Sequence, residues 1–295
     1  MSTYAISDIH GAYKPYQALK AAVGYDSTKD ELYIIGDIFD GNTAHPEDCL
    51  NILDDIIADD SITLLLGNHE LAHIEYYNAC KNGKKKAKEA WRNYLADPLC
   101  GGSALLHYFE EHKEKWDYYI GYLMNHAVFN KVIVEEEKAF ILVHGAPVQV
   151  FQGEICVKDI FRYHLASMCN QPTFKEDLYT AGITALMIHS VIKGIPFKEM
   201  VKEFEDFTPD DIYCVVGHTP TKYLHKKTKA KFQKVFHKNH IYDIDCGCRA
   251  NSLNKSYDNS IIASDLCMMR LGKKPTFTYY SKIKEKENIM HLLQA

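Results

Sequence analysis

Five short apolar runs, Tyr4 to Ile6, Leu32 to Ile35, Ile62 to Leu66, Phe140 to Val143 and Ile212 to Val216, have strand length and strand-favouring composition. Each is followed at once by a polar fragment: Asp8-Ile9-His10, Gly36-Asp37-Ile38-Phe39-Asp40, Gly67-Asn68-His69-Glu70, His144-Gly145 and Gly217-His218. A strand that ends in Asp, Asn or His delivers an oxygen or nitrogen donor at its carboxyl end, and open α/β sheets line a crevice with those ends. Laid side by side in one sheet, the runs bring Asp8, His10, Asp37, Asn68, His144 and His218 together. Six donors without a thiolate suit two divalent ions, with Mn the first expectation and Fe, Zn or Co the others.

The chemistry that needs such a set is hydrolysis at phosphorus, where two ions about 3.5 to 4 Å apart clamp the attacking and leaving oxygens. One carboxylate must bridge the ions. Asp37 is the expected bridge, because it falls between the Asp8/His10 pair and the later Asn68, His144 and His218 in chain order. A departing alkoxide also needs a proton. His69 can supply it if a carboxylate holds its other ring nitrogen, and Asp40, three residues after Asp37, fits that role. Taken singly, Asp40 reads as a helix cap and His69 as a solvent-facing side chain. Within this constellation the catalytic pair is the better reading.

The order Asp-x-His-Gly, Gly-Asp-x-x-Asp, Gly-Asn-His-Glu, His-Gly, Gly-His resembles the calcineurin-like metallophosphoesterases, from Asp8 to about Asp245. Gly-Asn-His-Glu resembles their phosphoprotein phosphatase branch, the serine/threonine phosphatases found in bacteria among others. The resemblance implies an α/β fold of two packed mixed β-sheets flanked by helices, a four-layer sandwich with helical insertions. It also implies that Asp8, His10 and Asp37 hold one ion and Asp37, Asn68, His144 and His218 the other, with water or hydroxide between them. The pairing of His69 with Asp40 matches the family. Many relatives carry Gly-His-x-His, whereas Gly217-His218-Thr219-Pro220 lacks the second histidine and leaves the first ion an open position. Ile244-Asp245-Cys246-Gly247-Cys248 is similar to the family segment that closes the second sheet.

One departure stands out. Where the protein phosphatases carry a phosphate-gripping arginine after Gly-Asp-x-x-Asp, this chain has Gly41. Its only arginines are Arg92, Arg162, Arg249 and Arg270, of which Arg162 and Arg249 are the candidates to hold the phosphate. Each also reads as an exposed or salt-bridged side chain.

Because the site residues run from position 8 to 218 and must meet, residues 1–295 are expected to form a single domain, although length alone suggests about two. Residues 14–23 and 46–59 have helical periodicity. Helical insertions are expected at about 71–125 and 157–205, the first broken by Lys81-Asn-Gly-Lys-Lys-Lys. Trp116, Tyr118, Tyr119 and Tyr122 either line a groove or pack the insertion down, with packing favoured. His189, in an apolar stretch, reads as a core histidine. Lys222 to His240, with seven lysines and no acidic residue, reads as a basic hairpin that can steer phosphorylated partners or simply be solvated.

Strands are expected at 241–245 and 260–271 and once more beyond Lys273, with a polar or helical end. The net charge of -5 argues against a general nucleic-acid binder. No stretch approaches the roughly 20 apolar residues of a membrane span, and no signal peptide precedes Asp8, so a cytoplasmic protein is expected. Nine cysteines, an odd number without Cys-x-x-Cys, read as reduced thiols, and Cys246 and Cys248 as a packed turn.

Three functions follow. The first is a serine/threonine protein phosphatase acting on phosphorylated proteins. The second, raised by Gly41, is a small-molecule phosphohydrolase similar to the diadenosine tetraphosphate hydrolases. The third, which the complete ligand set disfavours, is a non-catalytic scaffold.

Overall fold

Each apolar run forms a strand, but the five are divided between two sheets. The computed structural model describes residues 1–98, 100–128, 130–145, 211–224, 231–238, 240–249 and 263–294. In it β1 (Thr3–Ile6), β2 (Glu31–Ile35) and β3 (Ile62–Leu65) pair in parallel. The second sheet contains β4 (Asn130–Glu135), β5 (Lys138–Val143), β6 (Ile212–Val216), β7 (Phe236–Lys238) and β8 (Ile241–Asp243). β9 (Cys267–Arg270) and β10 (Thr276–Tyr279) return to the first sheet as antiparallel additions beside β1.

The strand orders are β10-β9-β1-β2-β3 and β4-β5-β6-β8-β7. In the second sheet β5, β6 and β8 run parallel while β4 and β7 are antiparallel edges. The fold is therefore an α/β sandwich of two mixed five-stranded sheets, with seven α-helices among the described residues. This is the two-sheet sandwich that the resemblance implied, with the five runs shared between the sheets.

Both faces of the first sheet are covered, which is why its strands read as unbroken apolar runs rather than alternating ones. Tyr4 and Ile6 of β1, Leu32 and Ile34 of β2, and Ile62 and Leu64 of β3 point into a core shared with helices. Their neighbours Ala5, Tyr33, Ile35 and Leu65 point the other way, into a core between the sheets with Phe140, Leu142, Val215, Tyr242 and Met269. Side chains alternate between the two cores along each strand.

The helical core is formed with α1 (Tyr13–Val23) and α2 (Glu47–Ile57), close to the expected ranges, and with the first insertion. That insertion is four helices: α3 (Asn68–Lys81), α4 (Lys85–Ala96), α5 (Ser103–Glu111) and α6 (Lys113–His126). The expected break after Lys81 separates α3 from α4. Trp116 and Tyr119 are buried, with Trp116 stacked on Tyr76 at 5.7 Å and Phe109 at 6.2 Å, so these aromatics pack the insertion rather than line a groove. Tyr118 alone of that cluster is exposed.

The chain from Tyr280–Gln294 forms α7, so the expected polar or helical end is a helix. The expected second insertion, with Arg162 and His189, lies outside the described residues, as does part of the basic segment. No helix among the described residues is long and apolar enough to cross a membrane. The seven described cysteines are all free, Cys246 and Cys248 being buried.

Phe140, with no exposure, sits at the centre of the inter-sheet core. Phe140→Ala is expected to lower the unfolding free energy by about 3–5 kcal/mol in a denaturant titration. Val134→Ala, at 74% exposure in β4, is expected to change it by less than about 1 kcal/mol. Similar values for the two would show that the inter-sheet core contributes less than its burial implies.

Candidate metal centre

The carboxyl ends of strands from both sheets meet at one place. Asp8 and His10 follow β1, Asp37 and Asp40 follow β2, and Asn68 and His69 open α3 after β3. His144 follows β5 and His218 follows β6, so the second sheet supplies the last two donors. Asp8, His10, Asp37, Asn68, His69 and His144 are at most 9% exposed. Asp8, His10, Asp37, Asp40 and His218 all have positive φ, between 47° and 70°. Non-glycine residues adopt this left-handed region at a cost of about 1–3 kcal/mol each, and such residues gather at functional sites.

Asp37 is the meeting point of two donor groups. His10, Asp37 and His69 have ligand atoms within 4.8 Å of one another, as do Asp37, His144 and His218. On the second side, His144 Nε2 lies 3.1 Å from both Asp37 Oδ2 and Asn68 Oδ1, and His218 Nδ1 lies 2.9 Å from the same Asn68 oxygen. His144 Nδ1 donates to the Ile35 carbonyl at 2.8 Å, and His10 Nδ1 to the Phe39 carbonyl at 2.9 Å. These bonds fix both rings with Nε2 turned inward, as a metal-bound histidine requires. On the first side Asp8 accepts from the Ser7 hydroxyl and from the His218 backbone N–H at 3.0 Å.

The electrostatics fit cations. Burial, and then the nearby Asp245 and Asp37 carboxylates, push Asp8 well above the usual carboxylate range. Burial favours the neutral form of His144, yet the Asp37 carboxylate outweighs it and pushes that ring up to about 10. Burial and the neighbouring His69 draw His10 down to about 3, and burial with His144 draws His218 down to about 4. A proton on His144 Nε2 lets that nitrogen donate to the Asp37 and Asn68 oxygens beside it. A divalent ion accepts the same lone pairs without it.

His69 and Asp40 lie together at the edge of this set. His69 Nδ1 is 2.7 Å from Asp40 Oδ2, and its Nε2 is 3.8 Å from Asp37 Oδ2. Burial opposes charge on His69, but Asp37 and Asp40 raise it well above the usual imidazole range. Asp40 makes no helix cap. Its carboxylate is fully buried, and His73 and His69 hold it well below the usual range against its burial.

A model of the calcineurin-like phosphoesterases matches residues 1–242. The chain belongs to that family. Among curated relatives, a symmetrical bis(5'-nucleosyl)-tetraphosphatase of Cellvibrio japonicus is 29% identical over 128 residues, 43% of this chain and 45% of the relative. A protein of the same name from Photorhabdus laumondii is 37% identical over 89 residues, 30% of this chain and 31% of the relative. The chain therefore spans less than half the length of these curated relatives. A solved protein serine/threonine phosphatase from Saccharomyces cerevisiae aligns with 95% of this chain and 79% of its own, at 11% identity and a TM-score of 0.45.

In this calcineurin-like chain, Gly41 has no room for a side chain. Its φ is 76°, and a Cβ there would lie 2.8 Å from the Cβ of His10. The guanidinium of Arg249 is nearby: a Cβ built on Gly101 would be 3.7 Å from the Gly41 nitrogen and 3.9 Å from Arg249 Nη1. The charge of Arg249 also acts on His10 and Asp245. The structure thus brings Arg249 to the centre's edge, while Arg162 lies outside the described residues.

Four residues at the site were not singled out in the sequence. Tyr94 Oη lies 3.2 Å from Asn68 Nδ2, and Cys100 Sγ lies 3.8 Å from both Asp40 Oδ2 and His69 Nδ1. His73 bonds the second oxygen of Asp40. Glu70, with no exposure, accepts four backbone N–H groups at 2.9 Å, from Asp37 and Gly67 on one oxygen and Ile38 and Phe39 on the other. The signal for Glu70 was its place at the third position of a helix, where a glutamate reaches back to the cap. For His73 it was the four-residue spacing from His69.

Either amide orientation of a glutamine at position 70 would set an NH2 against two N–H donors. Glu70→Gln is therefore expected to lower stability by about 3 kcal/mol and to weaken Mn binding. Thermal melts and metal analysis after dialysis check this, and an unchanged melting temperature with full metal content would refute it.

Proposed function

We propose that this chain is a metal-dependent phosphoric ester hydrolase, with Asp8, His10 and Asp37 holding one divalent ion and Asp37, Asn68, His144 and His218 the other. The observation that carries this reading is the convergence on the single carboxylate of Asp37 of two donor groups, one with His10 and His69 and one with His144 and the half-buried His218. Bound there, a pair of divalent ions supplies positive charge that polarises a phosphoryl group and makes water more acidic.

The protein's own groups do the rest. Asp40 accepts the Nδ1 proton of His69, which leaves the Nε2 proton facing the centre as the one available to a departing oxygen. Arg249, whose guanidinium lies near Gly101 and Gly41, is the residue we assign to grip phosphate oxygens. Asn68 is held by Tyr94 through its amide nitrogen, so its oxygen is the atom turned to His144 and His218.

Two substrate classes suit this centre. Hydrolysis of phosphoserine or phosphothreonine in proteins uses His69 fully, because an alkoxide leaves poorly without a proton. Cleavage of a dinucleoside tetraphosphate is favoured by a separate observation, the name shared by the Cellvibrio and Photorhabdus relatives. Such an anhydride has a leaving group that needs little protonation. The location in the cytoplasm, Mn as the ion and the single-domain organisation belong to the same proposal.

Mn-loaded protein assayed on para-nitrophenyl phosphate, bis-para-nitrophenyl phosphate, a phosphothreonine peptide and diadenosine tetraphosphate tests the reading. Turnover of the peptide or the dinucleotide assigns the class, whereas two bound metals with no turnover of any would leave a scaffold. Asp37→Asn is expected to abolish activity with loss of metal, and retained activity would overturn the bridging role. His69→Asn is expected to keep both metals and slow alkyl phosphates by about a hundredfold or more, aryl phosphates much less. Equal losses would argue against His69 as the acid.

A further inference from the structure

Asp40 is gripped at both oxygens by one helix. His69 Nδ1 lies 2.7 Å from Oδ2, and His73 Nε2 lies 2.8 Å from Oδ1. The two histidines are four residues apart on α3, so one face of the helix presents both rings to a carboxylate that arrives on the loop after β2. A carboxylate accepting at Nε2 requires the proton of His73 to be on that nitrogen.

His73 is held still. It has no exposure, and its ring stands edge-on to Phe39 at 5.4 Å and to Phe109 at 5.8 Å. Turning it would displace two buried aromatic side chains. Its Nδ1 has no hydrogen-bond partner among the described residues, so the ring has one polar bond to make, and makes it to Asp40. A buried imidazole is a costly way to fill apolar space unless that bond serves a purpose. Leucine or phenylalanine would fill the same volume without leaving a polar nitrogen unsatisfied.

A carboxylate held at one oxygen can rotate about its Cβ–Cγ bond and carry its partner with it. We propose that His73 is a positioning residue for the reaction: by anchoring Oδ1 it fixes the plane of Asp40, and so keeps His69 Nε2 aimed at the centre. This rests on the reading of His69 as the proton donor. It adds a third member behind the pair, and it predicts an effect that depends on the leaving group.

Steady-state kinetics of the Mn-loaded full chain on phosphoserine and on para-nitrophenyl phosphate test the proposal, with metal content measured for every variant. His73→Leu is expected to lower kcat for the alkyl ester by about tenfold to a hundredfold with KM little changed, and for the aryl ester by less than about threefold. His73→Gln, which keeps an N–H near the position of Nε2, should recover most of the loss. In a His69→Asn background, His73→Leu should have no further effect, as expected for residues acting as one unit.

Equal losses on the two esters, no recovery by glutamine, or an undiminished effect without His69 would each overturn the role of His73 while leaving that of His69 intact. A His69→Asn variant that treats both esters alike, or a wild type that turns over neither, would overturn the acid reading and this one with it.

Discussion

The Glu70 carboxylate, buried without exposure, accepts the backbone N–H groups of Asp37, Ile38, Phe39 and Gly67. These are the turn after β2 and the residue before α3, so one side chain fastens the two loops that carry Asp37, Asp40, Asn68 and His69. The turn is a costly one. Asp37 and Asp40 sit at φ 54° and 65°, worth about 1–3 kcal/mol of strain each. Four hydrogen bonds to a charged acceptor, at about 1.5–3 kcal/mol apiece, exceed that strain and help offset the desolvation of the carboxylate. With fewer donors the buried charge would be left uncompensated, so the arrangement forms as a whole or not at all. Gly67 belongs to it for a steric reason, since a Cβ there would collide with the Asp37 carboxylate.

The second dependence is between the sheets. Asp8, Asp37 and Asn68 come from the first sheet and His144 and His218 from the second, yet His218 donates its backbone N–H to Asp8 and His144 donates to the Ile35 carbonyl of β2. The centre is therefore a seam. Its geometry is set by how the inter-sheet core packs, with Ile35 and Phe140 both buried in that core. Dense packing admits small shifts poorly, which is how apolar side chains far from the chemistry hold the ligands in register.

Much of this was legible in the chain. The strand runs, their polar endings and the two helices before residue 60 were visible because a strand buried on both faces leaves a continuous apolar run, and because helical periodicity is strong in 46–59. The division into two sheets came from the motif order alone, since an apolar run reports burial and says nothing of which sheet it joins. β4 was missed because Asn130, Lys131 and Glu135 make it too polar to read as a strand. Glu70 and His73 were hidden for a common reason. Each looks local in sequence, a helix-start glutamate and a histidine among apolar neighbours, while three of the four Glu70 partners and the Asp40 partner of His73 lie more than thirty residues away. Arg249 was one of the two arginines expected to hold the phosphate, without a location. Its place beside Gly41 comes from the loop after β8, which periodicity does not describe.

The first insertion reaches the centre itself. α3 contributes His73 to Asp40, α4 contributes Tyr94 to Asn68, and the turn after α4 places Cys100 against Asp40 and His69. The ions would answer to the phosphoryl group, but the groups proposed to serve the departing oxygen, His69 and Asp40, are enclosed by this insertion on one side. Specificity for the leaving group and the poise of the proton donor are then properties of the same four helices. A change that reshapes the insertion for a different leaving group must also move Tyr94, Cys100 or His73, and so must alter how firmly the proton is held. That coupling is a physical reason for one set of donors to suit esters, which need the proton, or anhydrides, which do not, according to the shape of the helices around His69.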